Sequence, residues 1–571
     1  MSNANNLTTL KHGEGSPVEG IKLRSDYLRG TLTEGLADSA TGALAEDDTQ
    51  LSKFHGFYQQ DNRDFRDERR RQMLEPDYQF MIRARLPGGI CSPAQWLGLD
   101  QVARTYANGS LRITTRQSFQ FHGVIKRELK ATIRAINDSM LDTVSACGDV
   151  NRNVMATALP ESSSLHRRVC ADAAAVGEHL LPRTTAYHEI WLGRERVAGT
   201  SGQDEEVEPI YGRTYLPRKF KIAFAIPPRN DVDVYAHDLG FVAHVEDDEV
   251  VGYNVTVGGG MGVTHGDPET YPRLADVVGY CTPGQLIETA ETIVGIQRDF
   301  GDRVERKHAR LKYTLAERGV EWLLEEFKSR AGFSLAEPRP FSFTHTGDLL
   351  GWQRTDDGLW HLALFIENGR VADVESISGL AGMRAVAHLL EEKGRGEFRL
   401  TPNQNVIISA VEEGDREAID AVVAEHGLDG WRQSSPLRLN SMACVGFPTC
   451  GLAMAESERY LPDLVTRIDA LLEKHGLSDQ PITIRMTGCP NGCARPYLAE
   501  IGLVGKGPGL YNLHVGAAFD GSRLNAMVRE SLHEQDVLDV LDGLFADYAG
   551  SRRDGEAFGN YLHRTGAMEL P

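Results

Sequence analysis

The sequence contains two cysteine motifs, Cys444-Val-Gly-Phe-Pro-Thr-Cys450 and Cys489-Pro-Asn-Gly-Cys493, separated by a helix-sized segment. Four thiolates in this arrangement can surround a soft metal centre. Pro490 stiffens the second loop, and Gly492 lets backbone N–H groups approach sulfur closely. The motifs therefore predict an iron–sulfur site. Structural zinc is one alternative, although its cysteines are usually spaced more closely, and four unrelated buried thiols are another.

Length and composition limit the class of protein. A chain of 571 residues is long enough for about two to four domains and a large cofactor. The net charge of −20 argues against nucleic acid as the main partner. Neither a cationic start nor a long apolar run is present, which predicts no membrane segment and a cytoplasmic location. In that reducing compartment, eight cysteines favour metal binding or catalysis over disulfides.

Basic and polar residues recur on predicted strands. The segment from Arg112 to His122 is predicted as one strand whose polar side chains share a face. An ordinary strand with one wet side would show the same alternation. A binding surface for a large anion is the competing interpretation. Lys219 and Lys221 share one face of a further predicted strand, and residues 306–312 form a second basic cluster.

Three sequence matches in the same order indicate an internal repeat. Residues 112–121 match 399–408, residues 236–242 match 499–504 with one residue missing, and residues 253–258 match 511–516. We therefore predict an α+β fold of two related repeats, built from mixed sheets with helices. The repeats face each other across a pseudo-twofold, forming three domains around a central cofactor cleft. One half would supply the metal and the other the positive charge.

Other elements follow from local patterns. Residues 1–52 are polar and predict an arm or a disordered tail. Residues 365–371 predict a hairpin with an Asn-Gly turn. Apolar residues at helical spacing predict helices over 286–300, 320–327 and 463–476.

An iron–sulfur site beside a cleft with Arg83, Arg152, Lys219 and Lys221 suits the reduction of a small oxyanion. These cations can hold the anion and donate hydrogen bonds as electrons arrive. A cluster alone would transfer electrons without readily binding and splitting an S–O or N–O bond. A second, open metal is therefore expected.

The cysteine motifs, together with Asn440-Ser-Met-Ala443, resemble those of the sulfite and nitrite reductases that contain sirohaem and a [4Fe–4S] cluster. The resemblance extends from about Phe54 to near the end of the chain. Within this family, residues 448–462 and 505–514 are most similar to the haemoprotein β subunits of NADPH-dependent assimilatory sulfite reductases.

The resemblance implies a role for each matching residue. All four cysteines would bind the cluster, and Cys493 would also be the axial ligand of the sirohaem iron. The implied sulfite-binding residues are Arg83, Arg152, Lys219 and Lys221. The implied sirohaem-binding residues are Arg112, Arg116, Gln120 and His122, joined by Lys307 and Arg310. Asn403, Gln404 and Asn405 are expected to border the pocket.

The implied activity is the six-electron reduction of sulfite to sulfide in assimilatory sulfate reduction and cysteine biosynthesis. A nucleotide-binding fingerprint is absent from the sequence, so an NADPH-dependent flavoprotein subunit is the expected electron donor. The alternatives are a ferredoxin-dependent sulfite or nitrite reductase and, in another class, a non-catalytic iron–sulfur or zinc protein.

The expected domain division has four segments. Residues 1–80 would be the N-terminal arm and lead-in, and residues 81–145 with 347–425 a domain of paired ferredoxin-like repeats. Residues 146–346 would be the basic, substrate-side lobe, and residues 426–571 the lobe with the cluster and the sirohaem ligand.

Overall fold

The computed structural model describes residues 15–159, 163–184, 186, 190–192, 195–198 and 208–569. It contains one six-stranded sheet, three five-stranded sheets and a two-stranded ribbon, with helices packed around them. The predicted α+β class is confirmed. Within the described ranges, no helix has both the length and the apolar character needed to cross a bilayer.

The strands fall into four large sheets. The first sheet, in the order β1-β2-β5-β4-β15-β16, contains β1 (Phe57–Asp61), β2 (Tyr78–Ala84), β4 (Ser110–Ile113), β5 (Phe119–Val124), β15 (Arg370–Val374) and β16 (Ile377–Ser378). The second, in the order β13-β14-β18-β17-β3, contains β3 (Ile90–Cys91), β13 (Gly351–Arg354), β14 (Trp360–Leu364), β17 (Glu397–Leu400) and β18 (Val406–Val411).

The third sheet, in the order β12-β11-β10-β9-β6, contains β6 (Met155–Ala156), β9 (Ile222–Ala225), β10 (Leu239–Glu246), β11 (Glu249–Val257) and β12 (Asp276–Cys281). The fourth, in the order β19-β20-β21-β22-β23, contains β19 (Ser441–Ala443), β20 (Ile484–Thr487), β21 (Ile501–Gly507), β22 (Leu510–Val515) and β23 (Ala526–Leu532). The ribbon pairs β7 (Ile190–Leu192) with β8 (Glu195–Ala198).

Helices lie between and around these sheets. Those preceding β13 are α1 (Pro17–Arg24), α2 (Leu32–Ala37), α3 (Glu46–Leu51), α4 (Arg66–Arg71), α5 (Pro93–Tyr106), α6 (Leu129–Asp138), α7 (Ser163–His179), α8 (Leu286–Phe300), α9 (Leu311–Arg318) and α10 (Val320–Ala331). Those following it are α11 (Gly379–Lys393), α12 (Arg416–Glu425), α13 (Pro436–Leu439), α14 (Leu461–Lys474), α15 (Glu534–Ser551) and α16 (Phe558–Thr565).

The three helices predicted from apolar spacing are present. α8 has the predicted bounds, α10 extends four residues further to Ala331, and α14 begins two residues earlier at Leu461. In α14 the residues at helical spacing, including Leu464, Ile468 and Leu472, are buried. Side chains three or four positions apart share one helix face, which here packs into the core.

The predicted repeat is confirmed by strand order and register. Arg112 lies opposite Gln120 in the first sheet, and the equivalent pair in the second sheet is Arg399 and Ile407. The third and fourth sheets likewise share one order of equivalent strands, since parallel pairing is followed by two antiparallel hairpins in each. The boundaries of the four predicted segments stay a prediction.

The predicted one-residue deletion in the second match is wrong. A 3-10 turn spans Val234–Ala236 in the first repeat and Pro496–Leu498 in the second, and two residues separate each turn from the following strand. The residues before these turns, Asp233 and Arg495, both have left-handed backbones, with φ of 50° and 52°. These two residues are therefore equivalent.

The hairpin predicted at residues 365–371 is also wrong. β14 and β15 flank the Asn368-Gly369 turn, but β14 belongs to the second sheet and β15 pairs with β4 of the first. In return, β3 leaves the first repeat and pairs with β17 of the second. The repeats therefore exchange one strand each, an arrangement that a turn dipeptide cannot reveal.

The single strand predicted from Arg112 to His122 is instead a hairpin. β4 ends at Ile113 and β5 begins at Phe119, with a left-handed Gln117 (φ 49°) in the turn between them. The alternation of polar and apolar residues continues through the turn, and this regularity concealed the turn in the sequence. Arg112 and Gln120 nevertheless lie directly opposite each other on neighbouring strands.

The structure answers the question left open for residues 1–52. From residue 15 onward the segment is an ordered arm containing α1, α2 and α3, and residues 1–14 lie outside the described ranges. Leu28, Leu32, Leu44 and Leu51 bury their side chains in the main core. These few leucines are too widely spaced along a polar segment to produce a clear helical pattern.

Two hydrophobic cores position the site. The larger one continues through the first three sheets, and a separate core fills the lobe built on the fourth sheet. A small apolar cluster, in which Ala236 and Met261 meet Tyr497 and Leu498, joins the third sheet to this lobe.

The strand exchange predicts a steric requirement at Gly89. Gly89 has a φ of +74°, and an added Cβ would lie 2.8 Å from the Leu400 carbonyl oxygen and 2.9 Å from the Gln117 Cβ. Gly89→Ala should lower the free energy of unfolding by about 2–4 kcal/mol, through backbone strain and overpacking. Gly109 has a φ of +75° with nothing within 4 Å of an added Cβ, so Gly109→Ala should cost only about 1 kcal/mol. Urea denaturation measures both variants. An equal loss of unfolding free energy in Gly89→Ala and Gly109→Ala would contradict tight packing where the strands are exchanged.

Candidate functional site

The two cysteine motifs meet at the same edge of the fourth sheet. Cys444 directly follows β19, and Cys489 lies two residues after β20. These strands are parallel neighbours, so their carboxyl ends lie side by side. The Cys444 N–H donates to the Met486 carbonyl oxygen at 3.1 Å. The fold therefore brings together two motifs that are separated by α14 in the sequence.

The loops of the two motifs interlock around Gly488. Its N–H donates to the Cys444 sulfur at 3.2 Å, and its carbonyl oxygen accepts from the Met454 N–H at 2.7 Å. An added Cβ at Gly488 would lie 2.6 Å from the Ala455 carbonyl oxygen, so only glycine fits. The Asn491 side-chain amide donates to the Cys489 sulfur at 3.5 Å. Hydrogen bonds to sulfur of this kind tune iron–sulfur clusters.

The thiols are close enough to influence one another. Burial, reinforced by the neighbouring cysteines, raises the pKa of Cys450 and of Cys489 to about 12 and also raises the pKa of Cys444. A metal centre would have to replace these protons.

The sulfur spacing separates the two kinds of metal site. Among the described residues, no three of these sulfurs lie within 4.8 Å of one another. A single zinc ion needs its sulfurs about 3.8 Å apart. The spacing therefore favours a centre of several metal atoms over one zinc ion.

A cleft opens beside this sheet edge. Thr115, Arg116 and residues of the third-sheet lobe line one wall, and residues 491–493 and 495 of the cysteine lobe line the other. Its positively charged side chains are Arg116, Lys219, Lys221, Arg310 and Arg495, and its one thiol is the exposed Cys493. Carboxylates are absent from the described lining.

Three of these cations lack an opposite charge. The side chains of Lys219 and Lys221 make neither a hydrogen bond nor an ion pair among the residues that the structure describes, and Arg116 donates to the Asn153 and Ile222 carbonyl oxygens. Burial, together with neighbouring cations, lowers the pKa of Lys219 to about 7, that of Arg116 to about 9 and that of Lys221 well below its usual value. Such groups favour a bound anion.

Arg83 and Arg152, predicted to act with the two lysines, meet behind this wall. Both guanidinium groups donate to the Ala146 carbonyl oxygen, at 3.1 and 3.4 Å. Arg152 is close enough to Arg116 and Lys219 to lower the pKa of each. The structure therefore gathers the four predicted sulfite-binding residues in one region, with the two lysines in the cleft wall itself.

Known proteins match this chain over its whole length. The family profile described as "Nitrite and sulphite reductase 4Fe-4S domain" matches residues 173–335, and the one described as "Nitrite/Sulfite reductase ferredoxin-like half domain" matches residues 71–139 and 353–426. The chain is 57% identical over 556 residues to the "Sulfite reductase [NADPH] hemoprotein beta-component" of Myxococcus xanthus, covering 97% of each. A protein of the same description from Xanthomonas oryzae is 56% identical over 557 residues, again covering 97% of each. The chain belongs to the nitrite and sulfite reductase family.

A solved structure has the same fold. The Mycobacterium tuberculosis NirA protein superposes with a TM-score of 0.78 at 24% identity, covering 100% of both chains. The family resemblance stated from the motifs is confirmed. The 4Fe-4S profile match lies on the lobe equivalent by repeat to the one that carries the four cysteines.

The family's predicted sirohaem-binding residues divide into two groups. Arg116 and Arg310 line the cleft, where Arg310 is paired with Asp238 at 2.8 and 2.9 Å. Arg112 instead donates to Glu458 at 2.7 Å and to the Ala443 carbonyl oxygen at 2.9 Å, beside Cys444. It therefore contacts the residue that directly precedes the first cysteine motif.

His122 and Gln120 lie on the same hairpin. Gln120 accepts a hydrogen bond from Arg112 at 3.4 Å. Both ring nitrogens of His122 are buried, and neither has a hydrogen-bond partner among the described residues. Burial and the positive charges of Arg370, Arg112 and Arg83 lower the pKa of His122 well below its usual value. Orphaned polar atoms of this kind fit a polar group bound against the hairpin.

The remaining predicted residues make contacts within the protein. Lys307 is half exposed and pairs with Asp267 at 3.1 Å. Asn403 and Asn405 donate to the Asp348 carboxylate at 3.0 and 2.8 Å. Gln404 donates to the Asn368 carbonyl oxygen at 3.1 Å, although its side-chain oxygen is left without a partner. Their roles in binding a cofactor stay a prediction.

Sequence reasoning missed Arg495, Asp233 and Thr115. Arg495 and Thr115 line the cleft, and Asp233 accepts hydrogen bonds from both Arg485 and Arg495. An alignment of the repeats without the gap would have made Asp233 and Arg495 equivalent positions. Their opposite charges would then have suggested an ion pair. Thr115 had no signal because it lies in a turn that was taken for a strand.

The cysteine geometry predicts that metal content depends on the motifs alone. Cys450→Ala should abolish most of the bound iron, because a cluster ligand is lost. Cys281 is also buried but lies in β12, away from the motifs, so Cys281→Ala is the matched control and should retain wild-type iron. Iron analysis of the purified variants checks this. Equal iron in both would contradict the assignment of Cys450.

Proposed function

We propose that this chain catalyses the six-electron reduction of sulfite to sulfide in assimilatory sulfate reduction and cysteine biosynthesis. The observation that carries the proposal is the row of uncompensated cations facing Cys493 across the cleft. A dianion with three oxygens fits such a wall, because each cation can neutralise charge and donate a hydrogen bond. The proteins of the same description in other organisms support it further.

The donor set suits sirohaem and one [4Fe–4S] cluster. We assign the cluster to the four motif cysteines and the sirohaem to the cleft between Cys493 and the hairpin that carries Arg112, Arg116 and His122. Cys493 is the exposed cysteine of the set, so its sulfur is available on the cleft side. When bound, these groups supply an open iron site and a store of electrons.

The side chains of this chain then bind sulfite and move protons. Arg83 and Arg152 hold the negative charge at the back of the site with their guanidinium groups. Lys219 and Lys221 hold the sulfite oxygens and donate protons to them as they leave as water. An ammonium group releases a proton far more readily than a guanidinium group does.

The electron donor in this proposal is an NADPH-dependent flavoprotein subunit. The description "beta-component" of the relatives implies a second component in those proteins. We place the complex in the cytoplasm, where all eight cysteines, which are free in this structure, would remain reduced. A ferredoxin-fed reductase is the second candidate, since the same cleft would serve either donor.

Optical spectra and metal analysis of the anaerobically purified chain test the cofactor assignment. We expect porphyrin-type bands that shift when sulfite is added, and about five irons per chain. Zinc without iron would contradict the proposal. Sulfide formation with NADPH and flavoprotein, compared with reduced ferredoxin, then identifies the donor.

The cation wall predicts the effect of removing one lysine. Lys219→Met should reduce sulfite turnover by about 100-fold with reduced methyl viologen as donor, because one oxygen loses its charge partner and proton donor. Iron and sirohaem content should stay unchanged.

Lys126→Met is the matched control. It removes one charge from a buried lysine whose Nζ donates to the Ala43 carbonyl oxygen at 2.9 Å, outside the cleft. Its turnover should remain near the wild-type value. Colourless Lys219→Met protein, or an equal loss of sulfite turnover in Lys219→Met and Lys126→Met, would show that Lys219 acts in folding instead.

A further inference from the structure

Arg495 lies two residues after Cys493 and turns back beneath the cysteine loop. Its φ of 52° places it in the left-handed region, which reverses the direction of the chain directly after the motif. The side chain is only 4% exposed, yet the residue lines the cleft. A buried guanidinium at this point requires several partners.

The guanidinium joins the turns of both repeats. Nη1 donates to the Thr115 carbonyl oxygen at 3.0 Å, and Nη2 donates to the Pro402 carbonyl oxygen at 3.0 Å. Thr115 lies in the turn between β4 and β5, and Pro402 occupies the equivalent place between β17 and β18. One side chain therefore holds two equivalent carbonyl groups at a fixed separation.

Thr115 connects this arrangement directly to Cys493. Its hydroxyl donates to the Cys493 carbonyl oxygen at 3.0 Å, while its own carbonyl oxygen accepts from Arg495. Cys493, Arg495 and Thr115 thus form a closed ring of contacts. The position of Cys493 relative to the β4–β5 hairpin depends on this ring.

The charge of Arg495 is shared with two buried groups. Its Nε donates to the Asp233 carboxylate, which also accepts from Arg485 at 2.7 Å. The Asp348 carboxylate is a further counter-charge to Arg495, so removing Arg495 would make the surroundings of Cys493 more negative by one charge. In a buried site such a charge acts with little screening.

We infer that Arg495 is a positioning residue that fixes Cys493 against the β4–β5 hairpin and keeps a positive charge beside its thiolate. The inference rests on the proposed metal centre at Cys493. Reduction adds negative charge to that centre, so a nearby cation stabilises the reduced state and raises the reduction potential. Arg495 is thereby assigned a role in setting how easily the centre accepts electrons.

The test compares Arg495→Gln, Arg495→Lys and Arg485→Gln in the full-length holoprotein. Anaerobic redox titration followed by optical and electron paramagnetic resonance spectra gives the midpoint potentials. Arg495→Gln should shift them to more negative values, while Arg495→Lys, which keeps the charge, should remain near wild type. Arg485→Gln is the matched control for the turn contacts, because Arg485 binds the same carboxylate and carries the same charge but contacts neither turn carbonyl.

Hydrogen exchange tests the positioning role without relying on the cofactors. Amides in peptides covering residues 110–124 and 397–411 should exchange about tenfold faster in both Arg495 variants, as expected from losing one charged hydrogen bond. Arg485→Gln should leave these peptides protected.

Three results would overturn the inference: an unchanged potential in Arg495→Gln, unchanged exchange in both turns of the Arg495 variants, or equally fast exchange of these turns in Arg485→Gln. If Arg495→Gln assembles no metal centre, the inference is tested by the Arg495→Lys variant and by the exchange data on all three variants. A wild-type chain that binds neither iron nor a porphyrin would instead refute the proposed function, and the exchange comparison would still stand by itself.

Discussion

An exchange of strands holds the two halves of this chain together. β3 completes the sheet of the second repeat and β15 completes that of the first, so separating the repeats would expose unpaired edges in both sheets. The turns at Thr115 and Pro402 extend from the strands beside these crossings, and each is held by Arg495. Arg495 therefore connects the cleft lining at Thr115 to the turns of both repeats.

Rigidity matters because the cleft wall is electrostatically unfavourable when empty. Lys219, Lys221 and Arg116 repel one another in a partly buried setting, and a flexible wall would relax by turning them toward water. The cysteine motifs behind the opposite wall have the complementary problem, since burial raises the pKa of Cys450 and Cys489 and a bound metal would have to replace their protons. One repeat therefore presents unpaired cations to the cleft, and the other contains the four motif cysteines.

The sequence predicted the parts of this site that depend on residue type and spacing. The cysteine motifs, the two lysines and the long helices follow from local chemistry and periodicity. The hairpin at residues 112–122 was mistaken for a strand because alternation continues through its turn. The contacts of Arg495 depend on pairings between residues 93 and 380 positions apart, and the strand exchange pairs Arg370 with Arg112. Local pattern contains no information on such pairings.

The N-terminal arm holds in place the segment before β9 that contains Lys219 and Lys221. Glu19 and Lys22 of α1 are both about 1% exposed, and the Lys22 Nζ donates to the Leu216 carbonyl oxygen at 2.8 Å, three residues before Lys219. Arg303 reaches Glu19 from the opposite side. These paired charges hold the backbone at Leu216. Repulsion between Lys219 and Lys221 therefore cannot be relieved by moving the whole segment. Although the described part of the arm contributes no side chain to the cleft lining, it belongs to the structure that keeps the lysines facing an anion.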